Sequence, residues 1–139
     1  MTRKDIYHET VKKALDKDDW EITHDPFRLR IGKKRLAMDL GAERLISAEK
    51  GTRKIVVEIK SFIGRSDVKD LQQALGQYVL YHQVLMEQNI GRELYLAVPQ
   101  RTYQTIFQSE LGMILLKNGL IRLLVFDEIQ ETIVVWIPD

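Results

Sequence analysis

The run Ile55-Val56-Val57-Glu58-Ile59 limits what this chain can fold into more than any other stretch. Side chains alternate across a strand, so consecutive branched apolar residues leave no face to offer water. Such a run belongs at the centre of a sheet, covered on both sides by other elements. Glu58 stands inside the run and Lys60 just beyond it. A carboxylate and an ammonium are costly to bury unless they are paired or bind a cation. The strand therefore needs helices to cover it, and Glu58 needs something to satisfy it.

The flanking sequence supplies the covering elements. Ile6, Tyr7, Thr10, Val11, Ala14 and Leu15 recur at three- and four-residue steps. They predict a helix over residues 3–18, with Thr2 as its N-cap. Trp20 to His24 alternates and reads as a short strand, ended by Asp25-Pro26. Residues 28–35 read as a basic loop or ragged strand around Gly32. Asp39 to Ala48 and Lys54 to Phe62 form two strand-like runs, and Glu49-Lys50-Gly51-Thr52 joins them as a hairpin turn. Ser66 caps a long helix reaching about Gln88. Its main apolar face is Val68, Leu71, Leu75, Tyr78, Val79, His82, Leu85 and Met86. Leu80 and Val84 lie opposite, which predicts that much of this helix is buried. Gly91 leads into a strand from Glu93 to Val98, and Pro99 precedes a helix from about Gln100 to Phe107, with its continuation to Leu116 left open. Two β-rich runs, 121–126 and 132–137, close the chain. The order is α-β-β-β-α-β-α-β-β, with no repeats or linkers, and predicts one α/β domain over residues 1–139 with a mixed sheet flanked by helices.

Composition narrows the chemistry. At 139 residues and 45% hydrophobic, the chain can bury a core without staples. It has no cysteine, which excludes disulfides, thiolate metal sites and a cysteine nucleophile. No apolar stretch is long enough to span a bilayer, and the N-terminus lacks the apolar region of a signal peptide. The expectation is a cytoplasmic protein without membrane contact. The net charge of +1 neither supports nor excludes nucleic acid, so local charge decides. Arg28, Arg30, Lys33, Lys34 and Arg35 place five cations in eight residues. That cluster suits DNA backbone contacts, although charge protection of an edge strand is the ordinary alternative.

Asp39, followed 19 positions later by Glu58-Ile59-Lys60, carries the chemistry. Cleaving a phosphodiester needs an activated water and charge stabilisation at phosphorus, and a hard divalent cation held by two carboxylates provides both. Glu58 and Lys60 are two apart on one strand and share a face. Asp39 starts the neighbouring strand and reaches the same end. Lys60 would sit beside the cation and the attacked phosphate, orienting the water or offsetting charge. A structural Glu58–Lys60 ion pair explains the same residues equally well. Glu9, on the edge of the first helix's apolar stripe, is a third candidate carboxylate, with a plain surface glutamate as the more ordinary reading. Gln73 and Gln77, one turn apart with Tyr81 following, are candidate supports that hydrogen-bond to the site or to a phosphate. His8, His24 and His82 stand at no ligand spacing, and His82 reads as a core residue.

The order α-β-β-β-α-β with Asp39 and Glu58-Ile59-Lys60 resembles the PD-(D/E)xK superfamily, which includes restriction endonucleases and archaeal Holliday-junction resolvases. A second resemblance covers nearly the whole chain. Asp5-Ile6-Tyr7-His8, Ile22-Thr23-His24-Asp25-Pro26, Asp39-Leu40-Gly41-Ala42-Glu43, Val57-Glu58-Ile59-Lys60-Ser61-Phe62, Ala74-Leu75-Gly76-Gln77-Tyr78 and Leu94-Tyr95-Leu96-Ala97-Val98-Pro99 are similar to the XisH family, the cyanobacterial fdxN element excision controlling factors. The resemblance implies a restriction-endonuclease-like fold. It also implies a part in programmed DNA-element excision, beside a site-specific recombinase and the small partner protein XisI, with a homodimer left open. It further implies Mg²⁺ or Mn²⁺ on Asp39 and Glu58, with Lys60 assisting catalysis. Glu9 joins them as a weaker ligand, because a helix-one glutamate serves so in some superfamily members. Met38, rather than proline, precedes Asp39. Two functions remain open: a Mg²⁺-dependent endonuclease, and a non-catalytic accessory protein that binds DNA, the small partner or the recombinase.

Overall fold

A computed structural model describes residues 5–47 and 51–138. In chain order the elements are α1 (His8–Lys17), β1 (Glu21–His24), β2 (Phe27–Ile31), β3 (Lys34–Met38), β4 (Leu40–Ser47), β5 (Gly51–Ile59), α2 (Asp67–Glu87) and β6 (Glu93–Pro99). Then come α3 (Gln100–Thr102), continuing into a π-helical turn (Tyr103–Phe107), α4 (Glu110–Lys117), β7 (Leu123–Asp127) and β8 (Thr132–Ile137).

The apolar run takes the interior position it requires. Six strands form one sheet in the order β1-β4-β5-β6-β7-β8. β5 pairs antiparallel with β4 and parallel with β6, and β6 pairs parallel with β7. β1 and β8 are antiparallel strands at the two edges. Alternation splits the central strands between two cores. Val56, Leu94, Leu96 and Val98 face α2, meeting Leu71, Ala74, Tyr78 and Leu85. Ile55, Val57, Ile59, Tyr95 and Ala97 face the other way, meeting Val11 and Leu15 of α1 and Trp20. The expected mixed sheet flanked by helices is therefore present.

Several boundaries differ from the sequence reading, each for a local reason. α1 begins at His8, not residue 3. The Asp5 carboxylate accepts from the Tyr7 N–H (2.9 Å) and the Asp5 carbonyl from the His8 N–H (3.0 Å), forming a turn just before the helix. The expected Thr2 cap and the turn residues Glu49 and Lys50 lie outside the described residues. Of the two readings of the basic segment, loop or ragged strand, the structure shows strand, folded as a regular hairpin. β2 and β3 pair from Phe27↔Met38 to Ile31↔Lys34, and Gly32 takes φ +59° at the turn. β5 stops at Ile59 instead of Phe62, because Phe62 adopts φ +55° and turns its buried ring edge-on to Phe107.

The later helices also depart from expectation. The helix after Pro99 does not run through to Leu116. It ends at Phe107, and Ser109 starts α4 afresh by accepting from the Gly112 N–H (3.3 Å). Glycine is required there: a Cβ at Gly112 would lie 2.2 Å from the Ile106 carbonyl oxygen. α2 begins as expected, with Ser66 Oγ accepting from the Lys69 N–H (3.2 Å). Only one face of α2 is covered, however, and Val68, Val79, Leu80 and Met86 are open to solvent. His82 is half-buried, stacked on Tyr78. Among the described residues no helix is long and apolar enough to cross a membrane.

Candidate metal centre

The register of the β4–β5 ladder pairs Leu40 with Val57, so Asp39 and Glu58 follow as the next opposed positions at its end. Asp39 Oδ2 accepts from the Ile59 N–H at 2.7 Å, which holds the aspartate across the end of β5. Glu58 points to the α2 side, like Val56 two residues before it. It is only 8% exposed, and its Oε2 has no hydrogen-bond partner. Burial first, then the adjacent Asp39 carboxylate, push the Glu58 carboxyl from its ordinary 4.5 up to about 10. In the absence of a cation the pair therefore keeps a proton at neutral pH. Two neighbouring carboxylates, the buried one with a partnerless oxygen, form a donor set suited to a hard divalent cation.

Lys60 continues the extended path, its N–H donating to the Ala97 carbonyl (3.0 Å). Its Nζ donates to Gln73 Oε1 at 3.0 Å. The Glu58–Lys60 ion pair left open by the sequence is not formed among the described residues. Tyr81, two turns beyond Gln73 on α2, is raised above its usual pKa by burial and then by the Glu58 and Asp39 charges. Gln73 and Tyr81 thus flank the carboxylates from the helix side. Gln77, between them in sequence, is exposed and makes no hydrogen bond among the described residues.

The amino-terminal carboxylate nearest the site is Asp5, not Glu9. The structure does not bring Glu9 to the pair: α1 packs on the sheet face opposite the one Glu58 occupies. Its side chain is 66% exposed, with Lys12 as its ion-pair partner at 3.9 Å. Asp5 Oδ2 instead accepts from the Ser61 N–H (3.0 Å), and its charge also raises Glu58. Arg101 Nη2 donates to the Ser61 carbonyl (2.9 Å). The backbone directly after Lys60 is therefore held from both sides, and the left-handed Phe62 follows at once. No spacing rule links Asp5 or Arg101 to Ser61. The only sequence signal for Asp5 was its place in the Asp5-Ile6-Tyr7-His8 segment.

The structure also joins His8 and Asp25, 17 residues apart, with Nε2 to Oδ1 at 2.7 Å. Glu9 completes a group whose ligand atoms lie within 4.8 Å of one another. Lys12 already supplies a cation there, with Nζ 2.8 Å from Asp25 Oδ2. Burial would raise the Asp25 carboxyl, but hydrogen bonds from Lys12 and His8 outweigh it and hold it below its usual value. The group is a structural tie between α1 and the end of β1. Arg28, Arg30, Lys33, Lys34 and Arg35 all lie exposed on the β2–β3 hairpin, which ends one residue before Asp39.

These features define a mixed α/β protein with a carboxylate pair, Glu58 buried and Asp39 half-buried, and an adjacent lysine at the carboxyl end of its central strand. Comparison with known families and structures narrows the class. The chain belongs to the XisH family, whose model, described as XisH protein, matches residues 1–134. It is similar to the crystal structure of an XisH family protein from Nostoc punctiforme, with 39% identity over 96% of this chain and 99% of that one and a TM-score of 0.85. It is equally similar to that of an fdxN element excision controlling factor protein from Anabaena variabilis, with 40% identity, the same coverage and a TM-score of 0.85. No curated protein matches.

Proposed function

We propose that this chain is a Mg²⁺- or Mn²⁺-dependent endonuclease; the setting, excision of a DNA element, is taken from the description of its Anabaena variabilis relative as an fdxN element excision controlling factor. The observation that carries the reading is Glu58, buried with a partnerless oxygen opposite Asp39. With the β2–β3 hairpin set aside as an insertion, α1-β1-β4-β5-α2-β6 follows the α-β-β-β-α-β order of the restriction-endonuclease-like superfamily. Asp39 and Glu58 would hold the cation, which supplies a more acidic water and positive charge against the phosphate in attack. Asp39 keeps one oxygen on the Ile59 N–H, and its other oxygen would meet the cation. Lys60, whose ammonium donates to Gln73 on α2, would orient a phosphate oxygen or offset the negative charge that develops there. The cationic face of the hairpin would contact the DNA. The protein would work in the cytoplasm with a site-specific recombinase and an XisI-like small partner.

Calorimetric titration with Mn²⁺ and Mg²⁺ tests the site. The expected outcome is one ion per chain, lost in Asp39→Ala and in Glu58→Ala. A folded wild-type protein that binds neither ion refutes it. A second reading, a non-catalytic accessory factor, draws on one observation: the Lys60 ammonium bonds Gln73 rather than either carboxylate. Excision in cells that survives both alanine substitutions would favour that reading.

A further inference from the structure

The β2–β3 hairpin concentrates charge that the rest of the chain lacks. Residues 27–38 hold five of the 21 basic residues and none of the 20 acidic ones, leaving 16 basic against 20 acidic elsewhere. Its two faces differ sharply. Phe27, Leu29 and Met38 enter the core beneath α2. Gln88 Nε2 donates to the Arg30 carbonyl (2.7 Å), tying the hairpin to the end of α2. Arg28, Arg30 and Arg35 alternate onto the opposite, exposed face, and Lys33 and Lys34 are exposed at the turn. Arg30 and Arg35 are direct register partners. Like charges directly opposite destabilise a ladder. Among the described residues no carboxylate pairs with either arginine. Charge protection of a strand edge does not require two arginines facing each other across the ladder. A polyanion outside the chain would offset that repulsion.

We propose that the outer face of this ribbon enters the major groove of duplex DNA, with Arg30 and Arg35 reading guanine edges and Lys33 and Lys34 contacting flanking phosphates. The inference rests on the DNA reading above and names its substrate as B-form duplex. The major groove, about 12 Å wide, admits a two-stranded ribbon. The guanidinium fork matches the O6 and N7 acceptors of guanine, whereas an ammonium does not. β3 runs through Met38 directly into Asp39, so a ribbon seated in the groove brings the sugar–phosphate backbone to the carboxylate pair.

Fluorescence anisotropy in EDTA, with duplexes of varied guanine content and their separate single strands, tests the inference. The wild-type protein is expected to bind duplex more tightly than either strand, with about a ten-fold spread between guanine-containing and guanine-free duplexes. The double variant Arg30→Lys/Arg35→Lys keeps the charge and flattens that spread. Lys33→Ala/Lys34→Ala weakens every sequence alike and lowers the salt dependence. A preference for single strands, or an unchanged spread in the double lysine variant, overturns the groove assignment while leaving DNA binding in place. A wild-type protein that binds no DNA overturns both.

Discussion

Glu58→Gln in the cation-free protein probes the energetics of the site most sharply. Below about pH 4.5 both the folded and the unfolded chain hold the Glu58 proton, and the side chain leaves stability untouched. Above that value the unfolded chain releases the proton while the folded chain keeps it, up to about pH 10. Because the folded pKa is raised, stability is full below the lower value and is lost as pH climbs through this window. The loss runs at about 1.4 kcal/mol per pH unit and reaches about 3 kcal/mol at pH 7. Glutamine keeps the shape and an N–H donor toward Asp39, and it has no proton to lose. In EDTA the variant should therefore match the wild type near pH 4.5 and exceed it by about 3 kcal/mol at pH 7. Urea unfolding across this range, followed by tryptophan fluorescence, measures the difference. Adding a divalent cation should reverse the order, since only the wild type gains binding energy. A variant less stable than wild type at pH 7 in EDTA, or a gap that does not change with pH, refutes the reasoning.

Other substitutions probe the supports of the site and the fold. Asp5→Asn weakens the hold on the Ser61 and Tyr7 N–H groups and should lower stability by about 1 kcal/mol in denaturant titration, with a parallel drop in cation affinity. Asp25→Asn removes the partner of Lys12 and His8 and should cost about 1–2 kcal/mol at neutral pH. Because the folded Asp25 pKa lies below 3.8, that gap should close as pH falls through it, as read by thermal melts at neutral and acid pH. Gly112→Ala meets the Ile106 carbonyl at 2.2 Å and should cost at least about 2 kcal/mol by denaturant midpoint. Arg35→Thr, which relieves the Arg30–Arg35 repulsion, should leave the melting temperature unchanged or raise it.

The parts of the fold carried by periodicity were legible in the sequence. The apolar run at 55–59 announced a two-sided central strand, and alternation alone placed Glu58 and Lys60 on one face. Ser66 signalled the start of α2 because a cap acts within one turn. What escaped notice depended on long-range contact. Whether Val79 and Leu80 are covered is decided by how many layers pack on α2, and the helix turned out to lie on the sheet with an open outer face. Glu9 stays open as a weaker ligand in the sequence because position along a helix does not reveal which side of the sheet the helix covers. Asp5 took that place through a hydrogen bond spanning 56 residues. The basic segment reads from sequence as either a loop or a ragged strand, because its one-sided burial, with Phe27 and Leu29 inward and arginines outward, is shorter than the strands that alternation identifies most clearly.

Cleavage itself tests the central claim most directly. Purified protein should be incubated with supercoiled, linear and branched DNA in Mg²⁺ or Mn²⁺, beside Glu58→Gln and Lys60→Ala. The carboxylate pair and its lysine predict cation-dependent strand breakage by the wild type, abolished in the glutamine variant and strongly reduced in the alanine variant. Absence of cleavage of every substrate by a folded wild-type protein in both cations, or equal cleavage by Glu58→Gln, would contradict it.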